Sequence, residues 1–472
     1  MPRIETDSIG SRELPDDVLF GINTLRGAEN FLISSATIGD DQALVRALAI
    51  IKKSAAQANG VLGGLTVKQT NAISAACDEI MGGKHHDQFI INMLEGSGGT
   101  SINMNANEVI ANRALQIMGY EAGAYEYLKP NDHVNMGQST NDVVPTAVKL
   151  AVLQKVPALT KALTRLGEAF QLKADELAEV LKIGRTCMQG AQPMTMGQEF
   201  SGYSAAILRA RDKIMDTTEA LQVLPLGATA IGTELGARAG YQEAVYRYLG
   251  QELPHPVQQS DNLFDAMQNS DGFSRLSAEL RVTAEILGKI SLDLIMMSSD
   301  KQSGIGEIKL PAIQPGSSIM PGKVNPVMPM MVQQLAFAVI GNDTAISLAA
   351  LNGQLEINHF EPIIASRLFD SIDLLTHGAD LFAKKCVNGI EALEDKALQN
   401  LLNSSALATV FVPILGYAEV SKIVKEADVN GKRFVDVIVE MGLMSREQII
   451  SKLSNAALWG SAKCSKEAIS LI

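Results

Sequence analysis
A chain of 472 residues, 46% of them hydrophobic, can bury a sizeable core and divide into more than one domain. Its formal net charge of -12 argues against the basic face that a nucleic-acid binder uses, while a few local cations can still hold an anionic substrate. Cys77, Cys187, Cys386 and Cys464 make no CxxC pair, the apolar runs are broken by Lys, Arg, Asp or Gly before membrane-spanning length, and MPRIETDSIGSRELPDD has no apolar signal region; the expectation is a soluble cytoplasmic protein with no nucleic-acid or membrane partner.

Aromatics are scarce at 5%, and Ala, Leu, Ile and Met are plentiful, which suits an all-α fold. Residues 1–142 alternate short helices with Gly- and Asn-rich turns and read as an N-terminal domain. Residues 143–395 carry long rods and read as a central helical bundle. The first rod starts after Pro145 and runs to about residue 180, with Leu159, Leu163, Leu166, Phe170 and Leu177 on one stripe and a kink expected at Pro157. Four more cover roughly 197–223, 275–298, 328–350 and 362–395, with Pro326, Pro329 and Pro362 suited to helix starts. Rods this long exceed the usual mean of about 11–12 residues and suggest a bundle shared between subunits. The third, with Leu276, Leu280, Ile286, Leu287, Ile290, Leu294 and Ile295, is apolar nearly all round and asks for cover on every side. Residues 396–472 shorten again into a small C-terminal helical domain.

Three polar islands interrupt this pattern. The first is bipartite, GSGGTSINMNANE from Gly96 and PNDHVNMGQSTND from Pro130. Its Asn, Ser and Thr residues suit either a carboxylate held by several hydrogen bonds or ordinary caps and Asx-turns. It lacks GxxxxGK[ST], and GSGGTS lacks the last glycine of GxGxxG, which counts against a phosphate loop. The second island, GRTCMQGAQPMTMGQEF from Gly184, feeds a long helix and is equally consistent with a capping segment. The third, GSSIMPGKVNP from Gly316, reads either as a moving lid with Lys323 and Asn325 at an anion-holding helix start, or as a linker. No GxSxG follows a strand, and no His lies near these serines in sequence, so neither a nucleophile elbow nor a triad is supported.

Taken together the islands resemble the aspartase/fumarase superfamily. GSSIMPGKVNP is close to the family signature, NMNANEVIANRAL pairs with PNDHVNMGQSTND, and the similarity runs from RIETDSIGSRELP and NTLRGAENF to the C-terminal domain. HDQF, YEYLKPNDHVN and LGATAIGT look more like aspartate ammonia-lyases than class II fumarases. The resemblance implies a three-domain all-α subunit, a homotetramer with a central twenty-helix bundle, active sites collected from three subunits, an amino-acid substrate and no organic cofactor; no site residue is assigned to a metal. It implies reversible elimination of ammonia from L-aspartate to fumarate through an enediolate. Ser317 would be the general base and Ser318 its neighbour on the substrate carboxylate. Thr100, Ser139 and Thr140 would face the β-carboxylate, Asn141 and Thr186 the amino group, and Lys323 and Asn325 the α-carboxylate, with Ser101 and Cys187 also among the substrate-binding residues.

The chain departs from the family at three places. Cys187 stands where many relatives have His, Met330 where they have Glu, and Glu95 where Gln is usual. Loss of the His and Glu together weakens the fumarase reading and leaves the amine side less polar. A related lyase releasing a bulkier amine, such as ergothionase, is the alternative enzyme. An inactive structural relative, like the lens crystallins, is the non-enzymatic one, and intact Ser317, Lys323, Asn325 and Thr100 argue against it.

Overall fold
The computed structural model describes residues 2–458, so Cys464 and the end of the expected C-terminal domain lie outside the described residues. Two compact units divide the chain. Unit 1 takes the chain up to Thr160, Asp212–Val282 and Ala338–Leu375; unit 2 takes Lys161–Arg211, Thr283–Phe337 and the chain from Thr376. Residues 1–142 thus fall in unit 1 and the described part of 396–472 in unit 2, while 143–395 contributes to both.

The main elements are helical. In chain order they are a hairpin of β1 (Arg3–Asp7) and β2 (Gly10–Leu14), α1 (Ile22–Asn30), α2 (Gln42–Val61), α3 (Val67–Met81), α4 (Thr100–Ile117) and α5 (Thr140–Glu176). A second hairpin, β3 (Leu181–Thr186) and β4 (Gln189–Thr195), precedes α6 (Met196–Glu219), α7 (Tyr241–Glu252), α8 (Leu263–Gln268), α9 (Asp271–Met297), α10 (Val327–Leu351) and α11 (Glu361–Lys385). Shorter helices follow: α12 (Glu394–Leu402), α13 (Ala408–Leu415), α14 (Tyr417–Asn430), α15 (Phe434–Glu440) and α16 (Arg446–Leu458). Only two-stranded pairings occur among the described residues.

In unit 1, side chains cap the helices that the sequence starts. Asp41 accepts from the Leu44 N–H to begin α2, and Thr66 with Gln69 forms a capping box on α3. The buried carboxylate of Glu108 on α4 accepts from the N–H groups of Gly21, Asn23 and Thr24, which supplies the start of α1 with the acceptors it lacks. In unit 2, Phe170, Phe200, Tyr203 and Phe382 pack as one aromatic cluster. A second core joins Ile183 to Leu401, Phe411, Ile423, Phe434, Ile438 and Leu453.

The long rods differ from expectation at their ends. α5 begins before Pro145, not after it, and holds Pro145 and Pro157 inside. The Asp142 carboxylate accepts from the Ser139 N–H and nucleates the turn, and a proline at 145 removes only one backbone donor from a helix of 37 residues. α11 stops at Lys385 because the chain turns at Val387–Gly389 and Glu391–Ala392 pairs with Ile308–Lys309. Gly341 and Asp343 do interrupt the apolar run of α10, yet α10 and α5 are each long and apolar enough to cross a membrane by length and composition. The most apolar stretch of α5 is 67% buried inside the protein, that of α10 only 33%.

Candidate active site
The first island is built in unit 1. Gly98 and Gly99 take left-handed backbone (φ 65 and 90), which turns the chain into α4; a Cβ at Gly99 would also meet the Val144 side chain at 3.0 Å. Inside this turn the buried Glu95 carboxylate accepts from the N–H groups of Ser97 and Gly99 and from the Ser97 hydroxyl. The residue that departs from the family is therefore folded into the turn itself. Thr100 is the first residue of α4 and is exposed. Ser101, about 100° round the same helix, is buried with its hydroxyl against Ser97.

The second half of the island carries a π-turn at Pro130–Val134 and then the start of α5. Ser139, Thr140 and Asn141 are half-buried there. The buried Asp142 carboxylate accepts from the N–H groups of Ser139 at 2.9 Å and of Gly227 and Thr229 at 3.0 Å, while Asn141 donates to the Ala230 carbonyl at 2.8 Å. Burial raises the Asp142 carboxyl to about 6, against the downward pull of those three N–H groups and of Lys52. Lys52, on α2, is fully buried and donates to Asn103 at 2.7 Å and Asn135 at 2.9 Å. Burial pushes its ammonium down to about 7, against the charge of Asp142. Asn103 in turn donates to the Thr140 hydroxyl at 3.3 Å, so the two halves of the island meet inside one unit.

The second and third islands lie in unit 2 and line separate cavities. Thr186 and the free thiol of Cys187 are exposed at the tip of the β3–β4 hairpin, where Cys187 (φ 51) and Met188 (φ 63) both take left-handed backbone. Behind this tip, Arg185 pairs with the fully buried Glu307, whose carboxylate also lies 3.4 Å from the buried Lys182 ammonium. Burial pushes the Glu307 carboxyl up, but the Arg185 hydrogen bond, the Lys182 charge and the Asn400 hydrogen bond outweigh it and hold the group below the usual range. A cavity of about 260 Å³ borders Lys182, Arg185, Cys187, Glu199, Lys289 and Asp293.

The third island is a loop pinned at its ends. The Gly316 N–H donates to the Lys323 carbonyl at 2.7 Å, and Asn325 Nδ2 donates to the Gly316 carbonyl at 2.8 Å. A Cβ at Gly316 would sit 2.6 Å from that Lys323 carbonyl oxygen, so the closure needs glycine. Between the pins, the half-buried Ser317 Oγ accepts from the N–H groups of Ile319 at 3.2 Å and Met320 at 3.1 Å. Ser318 and Lys323 are exposed, and the Lys323 ammonium has no acid partner among the described residues. Ser317, Met320 and Lys323 border a cavity of about 510 Å³. Met330 is exposed on the first turn of α10.

Sequence reasoning left out Lys52, Asn103, Asn135 and Glu307. The one available signal for Lys52 is a charged residue at a core-facing place in LVRALAIIKK; Glu307 has none.

Unit 1 thus carries hydroxyl and amide donors at the starts of α4 and α5, and unit 2 carries a serine oxygen fed by backbone N–H groups and, on the same loop, a lysine with no acid partner among the described residues. Residues 10–341 match the family model described as Lyase, and residues 407–459 that described as Fumarase C C-terminus. The chain belongs to the aspartase/fumarase superfamily of lyases. It is 42% identical over 447 residues to the aspartate ammonia-lyase of Helicobacter pylori, covering 95% of this chain and 96% of that one. Against the aspartate ammonia-lyase of Pseudomonas aeruginosa it is 44% identical over 443 residues, 94% of each chain. Among solved structures it is similar to the fumarate lyase:delta crystallin of Brucella melitensis bound to cobalt, with TM-score 0.94 and 44% identity over 97% of this chain and 100% of that one. The class II fumarase of Schistosoma mansoni follows with TM-score 0.89 and 34% identity over 97% and 99%.

Proposed function
We propose that the chain is an aspartate ammonia-lyase that reversibly converts L-aspartate to fumarate and ammonia. Ser317 takes a proton from the carbon beside the β-carboxylate, whose oxygens receive the electron pair as an enediolate. The pair returns to form the double bond as the amine leaves the neighbouring carbon. Thr100, Ser139 and Thr140 face the β-carboxylate, with Ser101 supporting the turn behind Thr100. Asn141 and Thr186 face the amine, Ser318, Lys323 and Asn325 the other carboxylate. Donors aimed at the enediolate oxygens contribute about 2.7–4 kcal/mol each, by analogy with other oxyanion sites.

The observation that carries this reading is the Ser317 oxygen, which accepts from two backbone N–H groups. A serine is a weak base until its oxyanion is stabilised, and two amide dipoles beside the Lys323 charge favour that form. The three islands are spread over two units and separate cavities, which suits sites completed by other subunits of a homotetramer. Cys77, Cys187 and Cys386 are all free thiols, which suits the reducing cytoplasm.

The test is the absorbance of fumarate formed from aspartate. Ser317→Ala should lower turnover by about 10²–10⁴-fold with the fold intact. Undiminished turnover in that variant would remove Ser317 as the base. The exposed Cys187 favours a second reading, a lyase for a bulkier amine. N-alkyl aspartates, malate and ergothioneine offered in the same assay separate the two, since the aspartase reading requires aspartate to be eliminated fastest.

A further inference from the structure
We propose that Lys52 is a positioning residue that fixes which way the Thr140 hydroxyl points, and so makes Thr140 a donor to the substrate carboxylate. The proposal rests on the reading that Thr140 binds that carboxylate. Lys52 lies wholly inside unit 1, with no carboxylate at ion-pair distance among the described residues; its ammonium is held by two amide oxygens, Asn103 Oδ1 at 2.7 Å and Asn135 Oδ1 at 2.9 Å.

Below about pH 7 the Lys52 amine is an ammonium, which has only hydrogens to give. Both asparagines must therefore turn their oxygens toward it, and their NH2 groups are forced the other way. Asn103 Nδ2 then donates to Asn135 Oδ1 at 3.2 Å and to Thr140 Oγ1 at 3.3 Å, and Asn135 Nδ2 to the Gln138 carbonyl at 3.2 Å. A hydroxyl that accepts from Asn103 keeps its own hydrogen for another partner. No described residue takes that hydrogen from Thr140, which is half-buried at the first position of α5. The direction of donation thus runs from the buried cation, through one amide, to the hydroxyl.

Without the cation, the Asn103 amide is free to turn by half a rotation and offer its oxygen to Thr140. The hydroxyl would then donate inward and present lone pairs to an arriving carboxylate. Asp142 holds the same helix start from its other side through Ser139, Gly227 and Thr229, so the backbone of Thr140 keeps its place while the hydroxyl polarity is lost.

The experiment is steady-state elimination of aspartate by the assembled enzyme at about pH 6, where Lys52 is a cation, with Tm recorded for every variant. Lys52→Met frees the amide. Asn103→Asp keeps an oxygen on the Lys52 ammonium, and so keeps the fold, but has no N–H for Thr140. Each should raise KM for aspartate roughly 10- to 100-fold with a smaller change in kcat. Adding Thr140→Val to either should raise KM no further than Thr140→Val does alone, because the same contact has already been lost. Should Lys52→Met fail to fold, Asn103→Asp decides. Unchanged KM in Asn103→Asp, or effects that multiply with Thr140→Val, would overturn the positioning role while leaving Thr140 as a ligand. A Thr140→Val enzyme with unchanged KM would remove Thr140 from the substrate site, and this proposal with it.

Discussion

Replacing Glu307 by Gln tests how unit 2 holds its second island. The carboxylate is fully buried and has three partners: Arg185 at 2.6 and 3.2 Å, Lys182 at 3.4 Å, and Asn400 at 3.0 Å. Losing one member of a buried ion pair destabilises by about 3–5 kcal/mol, chiefly by leaving charge buried without a counterion. The lower end applies here, because Lys182 keeps Glu199, the Arg185 side chain is 19% exposed, and glutamine still offers one oxygen. The expected loss is about 3 kcal/mol, or on the order of 3 °C in Tm for a chain of this length unfolding as one unit. The control is Glu391→Gln. The Lys309–Glu391 pair, at 3.0 Å, falls within the range of the Glu307 contacts, but its side chains are 60% and 64% exposed, so its loss should change stability by about 0.5 kcal/mol or less. Thermal and urea unfolding of the two variants would decide; equal effects would refute the argument that burial sets the energy. The sign with pH also follows. The Glu307 carboxyl is held below its usual range, so its contribution is full above about 4.5, the unfolded value, and disappears as pH falls through the lower folded value. The gap between wild type and Glu307→Gln should close in acid.

Glu361, buried at the start of α11, is pushed up to about 8 by burial, with only the Lys149 charge opposing. The folded protein keeps a proton there that the unfolded chain releases near 4.5, so wild type should lose stability relative to Glu361→Gln as pH rises from 5 to 8; a Tm difference that stays constant over that range would contradict this. Met188→Gly should raise stability by up to about 1.5 kcal/mol in urea titrations, since the left-handed turn costs a non-glycine residue about 1–2 kcal/mol and glycine's chain entropy takes back about 0.5–1. A fall in stability would mean that the Met188 side chain contributes more than its turn costs.

The rods were legible because their apolar stripes repeat locally: α6, α9 and α10 begin and end within about four residues of the ranges read from spacing. The start of α5 is not legible in the sequence, because Pro145 is a local signal, whereas the capping carboxylate of Asp142 is held by Gly227 and Thr229, some 85 residues away. The polar islands could be found as runs of the wrong residues for a core. Their supports could not. Lys52 reaches Asn103 and Asn135 across 51 and 83 positions, and Glu307 reaches Arg185 across 122. A lysine beside a second lysine in the middle of α2 reads as a solvated residue until the fold closes over it, and no periodicity carries that information.

α10 poses the remaining physical question, what covers its apolar surface. Val332, Leu335, Ala336, Val339 and Ile346 are buried, yet Phe337 is 68% and Leu348 57% exposed, so both sides of the helix are apolar. Lipid is a poor answer. In the middle of the helix Asp343 accepts from Ser277 at 2.6 Å and pairs with Arg281 at 3.0 Å, and Asn342 donates to Asp370 at 2.8 Å and to Ser371 at 3.1 Å, a polar layer with charged members that would be costly at membrane depth. Other copies of the chain are the cover that fits, as the proposed tetramer requires. Burying Phe337 contributes about 1.5–3 kcal/mol per copy, and a glutamate there would place an unpaired charge in the interface. Phe337→Glu should therefore run in light scattering near 50.4 kDa in place of the tetramer's fourfold mass, with its helical circular dichroism kept. It should also lose activity, because a lone subunit lacks the islands supplied by its neighbours. By the same logic, mixed and refolded Ser317→Ala and Thr100→Ala chains should regain activity, since a mixed tetramer can contain a site carrying neither change. A Phe337→Glu chain that stays fully active, whether as tetramer or monomer, would sever apolar cover from catalysis and return α10 to an unexplained surface.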